Sequence, residues 1–305
     1  MRKLVLLLIV SVACGYCGSQ SPTGPTPGPT PPLPPGGPPP PNPIAPGPQV
    51  FVGAGDIGFC DKNSVATGAL LDSIGGTVFT LGDNAYFQGT RQQYMNCYDP
   101  AWGRHKDRTY PVPGNHEYES PGAGPYYEYF GERAVSIDTG QSYYSFPVGD
   151  WHAVALNSNI AAGPGSAQAV WLRNDLAASR TKCTVAYWHH PLFTSGPNGD
   201  TVAMRELWQI LYEANADLVL SAHEHFYERF APQDPTGRPD TARGIRQFIA
   251  GTGGALLYQP VSIHPNSEVR ISAFGVLKLT LSADSYRWEF IPVSGQSDSG
   301  SGVCH

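Results

Sequence analysis

Charged residues are scarce in this 305-residue sequence, which has 19 Lys and Arg, 25 Asp and Glu, and a formal net charge of −6. The few cations form no basic run, whereas a surface that binds nucleic acid needs clustered Lys and Arg. We therefore expect no nucleic-acid-binding surface. The apolar run near the N-terminus, LVLLLIV, is too short to span a bilayer as a mature helix. No internal repeat is present.

The N-terminal part of the chain does not have the composition of a folded domain. Residues 1–20 combine two cations, the apolar run and small residues, which is the pattern of a signal peptide. Within them, SVAC also resembles a bacterial lipoprotein cleavage site whose cysteine, here Cys14, becomes lipidated. Residues 21–48 are dominated by Pro and Gly and predict a disordered, extended linker. We expect an exported protein, either secreted, periplasmic or a cell-surface lipoprotein, that meets a membrane only through such an anchor.

The rest of the sequence predicts one large domain at 49–296 and a C-terminal tail at 297–305. Runs rich in Val, Ile and Phe predict strands near 50–54, 77–81, 109–112, 143–148, 151–156, 183–188, 217–221, 245–250, 274–281 and 286–293. Helical patterns occur near 63–74, 90–102, 166–178 and 200–214. The early alternation implies parallel crossovers, and the later runs imply antiparallel hairpins. The expected fold class is α/β with α+β-like mixed sheets, a two-sheet β-sandwich flanked by helices.

Four of the six cysteines fall in this domain or its tail, at positions 60, 97, 183 and 304. An even number of cysteines in an exported chain suits disulfides, and three pairings are possible. We favour Cys60 with Cys97, which would join two adjacent loops. The second favoured pair, Cys183 with Cys304, would pin the C-terminus to an interior strand.

Polar motifs follow the predicted strands. They are GDIG at 55–58, GDNAY at 82–86, GNHE at 114–117, WHHP at 188–191 and AHEH at 222–225. Loops beyond the carboxyl ends of such strands converge on one crevice, but each motif alone also fits a turn, a packed aromatic or a core histidine. His223 and His225 give a stronger signal, because residues two apart in an extended segment point the same way. Their α carbons would lie about 6.6 Å apart, a spacing that suits two ions about 3.5 to 4 Å apart.

Taken together and in order, the motifs resemble those of the calcineurin-like metallophosphoesterase superfamily, and within it the purple acid phosphatases. That series is GDxG, GDxxY, GNH followed by Glu or Asp, a strand ending in His, and GHxH. The resemblance covers residues 50–293 and is to a compact, single-domain form. It implies two metal ions, Fe(III) plus a divalent Fe, Zn or Mn ion. The implied ligands are Asp56, Tyr86 and His225 for the first ion, Asn115, His189 and His223 for the second, and Asp83 for both.

The resemblance also implies an activity, the hydrolysis of small phosphorylated substrates by an acid phosphatase-like phosphomonoesterase. The implied mechanism is in-line attack by a metal-bridging hydroxide, with His116 as the catalytic residue that protonates the leaving group. Tyr86 distinguishes a ferric phosphatase from most other members of the superfamily. A phosphodiesterase or nucleotide hydrolase on the same site remains an alternative, as does an inactive surface-anchored binding domain.

Some residues depart from the family pattern or have no clear place in it. Ala222 replaces the usual Gly of the last motif, and the loop 192–200 lacks a histidine that plant purple acid phosphatases carry. Glu117 and Glu224 are expected to support ligands or to lie at the surface. His190 receives no role. GTGG at 251–254 lacks a P-loop lysine, so we expect a tight turn near the site instead of a nucleotide-binding loop.

Overall fold

A computed structural model describes residues 47–136 and 140–305. The predicted signal peptide and all but the last two residues of the predicted linker lie outside the described residues. The strands are β1 (Gln49–Ala54), β2 (Thr77–Leu81), β3 (Thr109–Val112), β4 (Tyr144–Val148), β5 (Trp151–Ala155), β6 (Cys183–Tyr187), β7 (Leu218–Ser221), β8 (Tyr227–Phe230), β9 (Arg246–Ala250), β10 (Ser267–Ile271), β11 (Gly275–Ser282), β12 (Ser285–Pro292) and β13 (Asp298–Val303). The helices are α1 (Lys62–Leu70), α2 (Arg91–Gln93), α3 (Asp99–Trp102), α4 (Asn115–Tyr118), α5 (Gly124–Phe130), α6 (Ala167–Ala178) and α7 (Arg205–Glu213). Short 3-10 turns lie at Leu71–Ser73, Gly103–Arg108, Pro121–Ala123, Gly131–Ala134 and Val202–Met204, and a π-turn lies at Tyr94–Tyr98.

Two mixed sheets form the centre of the described structure. The first has the strand order β13-β12-β11-β1-β2-β3, and the second has the order β10-β8-β9-β7-β6-β5-β4. Strands β1, β2 and β3 are parallel to one another, as are β5, β6, β7 and β9. The outer strands join them in antiparallel pairs. This two-sheet sandwich with flanking helices confirms the predicted fold class.

The core is arranged in layers that follow from the alternation of side chains along each strand. On β1, Phe51 joins a cluster with side chains of the second sheet, whereas Val52 packs on the other face with Trp102 of α3. On β6, Val185 points toward the first sheet, and Ala186 belongs to the cluster with α6 and α7. Because both faces of these strands are covered, their sequences read as almost continuous apolar runs.

The structure differs from the sequence prediction in several elements. The predicted helix at 90–102 is interrupted by the π-turn, and β8, β10, α4 and α5 were not predicted. The predicted tail at 297–305 contains an edge strand, since β13 pairs with β12 along its whole length. At Gly300 a β carbon would lie 2.2 Å from the Trp288 ring, and at Gly302 it would lie 2.4 Å from the Tyr286 ring. The strand forms because glycine lets these aromatic rings lie across it.

Both favoured disulfides are present in the structure, which confirms the predicted pairing. Cys60 and Cys97, whose α carbons lie 4.2 Å apart, join the loop after β1 to the π-turn. Cys183 and Cys304, at 5.5 Å, join the start of β6 in the second sheet to the residue after β13 in the first. The second bridge therefore links the two sheets covalently. Among the described residues, no helix is both long and apolar enough to cross a bilayer.

Candidate metal centre

The candidate ligands lie shortly after the ends of parallel strands of the two sheets. Asp56 follows β1, Asp83 and Tyr86 follow β2, Asn115 follows β3, His189 follows β6, and His223 and His225 follow β7. The first sheet thus supplies carboxylates, the phenol and the amide, and the second sheet supplies the imidazoles. The ends of the parallel strands bring all seven residues to one place, as the sequence predicted.

Tyr86 lies at the centre of the first group of side chains. Its hydroxyl donates to Asp56 Oδ1 at 2.7 Å and lies 3.1 Å from Asp83 Oδ2. The same oxygen is 3.2 Å from His225 Nε2. Burial, followed by the negative charges of Asp56 and Asp83, raises the pKa of Tyr86 well above its ordinary value. Phenolate at this position therefore needs a nearby cation.

His189 lies at the centre of the second group. Its Nε2 is 3.1 Å from Asn115 Oδ1 and 3.3 Å from Asp83 Oδ2. His223 Nδ1 lies 3.2 Å from the same nitrogen. Asp83 contacts both groups, which is the position that a ligand shared by two ions requires. The potential ligand atoms of Asp56, Asp83 and His189 all lie within 4.8 Å of one another.

The orientation of two imidazole rings tests whether these residues fit metal ions. His189 Nδ1 is 2.7 Å from the carbonyl oxygen of Leu81, and His225 Nδ1 is 2.7 Å from that of Leu256. A carbonyl only accepts, so each Nδ1 donates and each neutral ring directs a lone pair on Nε2 into the site. Each Nε2 then faces a carboxylate oxygen at 3.3 Å. Two acceptors at this distance need a cation or an added proton between them, and metal-binding histidines commonly donate their other N–H to a carbonyl.

The pKa values of the site residues also indicate that positive charge stabilises the site. Burial opposes protonation of His189, but the Asp83 carboxylate, supported by Asp56, outweighs it and raises the pKa of His189 to about 9. Burial likewise opposes ionisation of Asp83, yet the imidazole of His189 holds the pKa of that carboxyl well below its usual range. A proton on His189 thus takes the place that a metal ion would fill, and the residues fit a metal centre.

Three candidate ligands have left-handed backbone conformations. Asp56, Asp83 and His223 have φ angles of 58°, 50° and 68°. Such conformations cost roughly 1–3 kcal/mol each and persist where the surroundings impose them. Here the backbone N–H of His223 donates to Asp56 Oδ2 at 3.0 Å, and that of His116 donates to Asp83 Oδ1 at 2.9 Å. The fold therefore holds these carboxylates in fixed orientations.

Glycines in the motifs give the ligands space. A β carbon at Gly114 would lie 2.1 Å from Asp83 Oδ1, and one at Gly82 would lie 2.7 Å from His189 Nδ1.

The predicted turn at 251–254 is also next to the site, because Gly253 N donates to the carbonyl of Gly55 at 2.9 Å.

His116, the predicted catalytic residue, lies at the edge of the site. Its Nδ1 donates to the carbonyl oxygen of Phe87 at 2.5 Å. Its Nε2 is 3.8 Å from Asp83 Oδ2, and its side chain is 28% exposed. The ring is therefore fixed through Nδ1, and Nε2 lies on the side of Asp83.

The two glutamates in the motifs, Glu117 and Glu224, are fully buried. Glu117 accepts hydrogen bonds from the backbone N–H of Gly114 at 2.7 Å and of Asn84 at 2.9 Å, and from the Tyr94 hydroxyl at 3.1 Å. It thereby joins the two loops that carry Asp83 and Asn115. Burial is the largest cause that raises the pKa of Glu117 to about 7, with Asp83 next, and burial also raises that of Glu224 to about 7.

His190, to which the sequence gave no role, lies beside the second group of ligands. Its ring centroid is 4.5 Å from that of His223 and 4.8 Å from that of His189. Its Nδ1 is 2.8 Å from the hydroxyl of Ser158, a contact between distant segments that local sequence does not indicate. Burial, followed by the two neighbouring imidazoles, lowers the pKa of His190 to about 2, so its ring is neutral.

A mixed two-sheet sandwich whose strand ends carry these carboxylates and imidazoles defines a metallophosphoesterase. The family model for calcineurin-like phosphoesterases matches residues 49–227, a range that contains every candidate ligand. The chain belongs to the calcineurin-like phosphoesterase family, and its resemblance to purple acid phosphatases is confirmed by the following relatives.

The chain is 33% identical over 228 residues to "Probable purple acid phosphatase 20" of Arabidopsis thaliana, a match that covers 65% of this chain and 52% of that protein. The structure of purple acid phosphatase PPD1 from yellow lupin (Lupinus luteus) seeds has a TM-score of 0.69 at 17% identity, covering 83% of this chain and 53% of that one. GAP50, described as the anchor in the inner membrane complex of Plasmodium, has a TM-score of 0.67 at 13% identity, covering 85% and 90%. The two structures show a shared fold. The chain spans about half the length of the curated relatives it matches.

Proposed function

We propose that this chain is an exported phosphomonoesterase of the purple acid phosphatase type with a centre of two metal ions. One observation carries the proposal. The Tyr86 hydroxyl lies within hydrogen-bonding distance of Asp56, Asp83 and His225 at once, so a phenol lies among the candidate ligands.

The ligand assignment follows from the two groups of side chains. Asp56, Tyr86 and His225 would hold Fe(III), Asn115, His189 and His223 would hold a divalent Fe, Zn or Mn ion, and Asp83 would contact both. Two carboxylates and a phenolate are hard anionic ligands, which supports a trivalent ion in the first position. When bound, the ions would acidify a coordinated water and stabilise the charge that develops on the phosphoryl oxygens.

The protein's own residues then orient the groups and move protons. The carbonyls of Leu81 and Leu256 keep His189 and His225 in the tautomer that binds metal. The carbonyl of Phe87 fixes the ring of His116 through Nδ1, and in this proposal its Nε2 would give a proton to the departing oxygen.

Export is supported by the composition of the N-terminal segment and by the disulfides. Disulfides persist in oxidising compartments, and this chain has two of them, Cys60–Cys97 and Cys183–Cys304. In this proposal the protein is secreted, periplasmic or held at the cell surface by a lipid on Cys14. Its partners are small phosphorylated substrates, and the Pro-rich linker keeps the domain away from the membrane.

A non-catalytic role is the main alternative, because a Plasmodium protein described as an anchor has a similar fold. Fold therefore does not decide activity, and the side chains of the site must do so. An anchor has no need for two histidines whose lone pairs face carboxylates at 3.3 Å, and this arrangement favours the enzyme.

The test is to purify the full chain under oxidising conditions, measure its metal content and visible spectrum, and assay p-nitrophenyl phosphate against bis-p-nitrophenyl phosphate. We expect two ions per chain, a visible absorption band that Tyr86→Phe removes, and faster hydrolysis of the monoester. Asp83→Ala should abolish metal binding and turnover, while Asp72→Ala, at an exposed ion pair with Arg104, should retain both. Preference for the diester would indicate a phosphodiesterase. A chain that lacks both metal and activity after reconstitution would be a binding domain.

A further inference from the structure

An exposed aromatic side chain lies next to the proposed proton donor. Phe87 is 53% exposed, although its ring centroid is only 5.0 Å from that of Phe59 and 5.9 Å from that of Tyr86. A single exposed apolar residue needs no explanation. Here, however, aromatic rings are grouped on one side of a candidate catalytic site.

The backbone that carries Phe87 is held firmly in place. Its carbonyl accepts from His116 Nδ1 at 2.5 Å, and the next carbonyl, of Gln88, accepts from the Ser120 hydroxyl at 2.6 Å. Gly89 N donates to the carbonyl of Ala85 at 3.0 Å, which closes the loop. The Phe87 ring is therefore exposed even though hydrogen bonds hold the backbone of its loop in place.

The partner ring is fixed as well. Phe59 directly precedes Cys60, whose disulfide to Cys97 anchors the loop after β1. The edge-to-face contact between Phe59 and Phe87, with an interplanar angle of 70°, leaves much of the Phe87 ring open to solvent. Two preordered rings of this kind offer an angled apolar surface at a low entropic cost.

The position of His116 decides which part of a substrate this surface would meet. The departing oxygen must come within hydrogen-bonding reach of His116 Nε2 to receive its proton. The Phe87 ring centroid is 6.3 Å from that of His116, and the same imidazole is bonded to the Phe87 carbonyl. A leaving group that accepts this proton would lie within reach of the Phe87 ring, with the phosphoryl group toward Asp83.

We propose that Phe87 and Phe59 form a leaving-group subsite that selects phosphomonoesters with an aromatic leaving group over those with an alkyl one. The inference rests on the proposed function. In the reaction the bond between phosphorus and the leaving oxygen breaks, and a water oxygen forms the new bond to phosphorus. That water loses one proton to the site, and His116 gives one to the leaving oxygen. The products are a phenol and inorganic phosphate.

The test compares phenyl phosphate and glycerol 2-phosphate on the metal-loaded full chain and its Phe87→Ala variant. We expect KM for phenyl phosphate to rise about five- to tenfold in Phe87→Ala, with kcat little changed, because a lost aromatic contact weakens binding by this much. Glycerol 2-phosphate should respond by less than about twofold, and Phe87→Tyr should keep the wild-type KM.

A matched control is Val303→Ala, which also removes an exposed apolar side chain, 76% exposed. Val303 pairs with Ser285 at the end of the first sheet opposite the site, so its loss should change neither substrate. An equal effect of Phe87→Ala on both esters, or no effect on phenyl phosphate, would overturn the subsite.

Binding of two phosphonates separates this inference from the proposed function. By calorimetry, phenylphosphonate should bind the wild-type metal-loaded chain about tenfold more tightly than methylphosphonate, and Phe87→Ala should remove the difference. If the chain hydrolyses no ester but shows this preference, the proposed function fails and the subsite stands. If it hydrolyses monoesters and binds both phosphonates equally, the subsite fails alone.

Discussion

His189 and Asp83 face each other with Nε2 only 3.3 Å from Oδ2, while the other nitrogen of the imidazole is committed to the Leu81 carbonyl at 2.7 Å. Between these two acceptors lies either a proton or a cation. The pKa of His189, raised to about 9, shows that the proton is held firmly at neutral pH when no ion is bound. Metal binding and proton release are therefore linked in this protein.

The first prediction follows from that linkage. Addition of Zn²⁺ to the chelator-treated full chain at pH 7 should release protons, because the ion displaces the one on His189. The affinity should accordingly rise between pH 6 and pH 9. Calorimetry in two buffers of different ionisation enthalpy measures the release. His189→Asn should release about one proton fewer per chain, and an unchanged count would contradict the assignment.

Glu117 provides a second prediction. In Glu117→Gln an NH2 group replaces one of the two carboxylate oxygens that accept hydrogen bonds. This donor would face the backbone N–H of Gly114 or of Asn84, which would then lose its acceptor. We expect the free energy of unfolding to fall by about 1–3 kcal/mol and metal affinity to fall roughly 10–100-fold. Urea titration and competition with a chelator measure the two effects.

The matched control for this change is Glu119→Gln, two residues along the chain at an exposed position. It should alter neither quantity. If Glu117→Gln binds metal as tightly as wild type, then Glu117 has a purely structural role and does not position the ligand loops.

A third prediction concerns proton transfer by His116. His116→Gln should lower kcat by about 10²–10⁴ for alkyl phosphates, whose leaving oxygens need a proton, and by much less for p-nitrophenyl phosphate. Metal content should stay at two ions, since His116 is not a ligand in the proposal. A uniform fall for all leaving groups would argue that His116 acts by orienting the phosphate or Asp83.

A fourth prediction concerns stability at low pH and lies outside the site. Burial would raise the pKa of Asp298, but hydrogen bonds from Arg229 and Tyr227 hold it below its ordinary value. A carboxyl whose pKa is depressed on folding stabilises the protein above its unfolded pKa of about 3.9, and this contribution is lost as the pH falls further. Asp298→Asn should therefore reduce the free energy of unfolding by about 1–3 kcal/mol at pH 7.

The difference in the free energy of unfolding between the Asp298→Asn variant and the wild type should become smaller below about pH 4, because the wild-type carboxyl becomes protonated. Urea titrations at pH 7, 5 and 3 measure it. The exposed Asp284→Asn serves as the control, with no expected effect at any pH. A gap that stays constant down to pH 3 would show that charge on Asp298 does not contribute.

The local sequence was sufficient to predict strands where an apolar run ends in a polar motif. β2 and β3 were predicted with the bounds that the structure has, and the candidate ligands follow directly from where such strands stop. The strand β13 could not be predicted, because Gly300 and Gly302 leave no apolar alternation. It depends on the Trp288 and Tyr286 rings of the neighbouring strand, which is a contact between elements.

Within the site, the sequence predicted the candidate ligands but not the contacts that support them. Leu81 and Leu256 orient the imidazoles through carbonyl oxygens, which any residue could supply, so the identity of the side chain carries no signal. The hydrogen bonds of Glu117 could not be predicted. One of its donors is Tyr94, which lies in a π-turn that interrupts a predicted helix. The exposure of Phe87 likewise depends on the tertiary packing of its loop.

The candidate ligands divide by sheet, with Asp56 to Asn115 on the first and His189 to His225 on the second. A ribosome therefore completes one half of the site long before it has synthesised the other. Neither half alone contains the proposed ligands for both ions, so we expect metal loading to be a late step of maturation that follows the association of the sheets. A chain stalled before His189 should retain no pair of ions through gel filtration, whereas the finished and oxidised chain should.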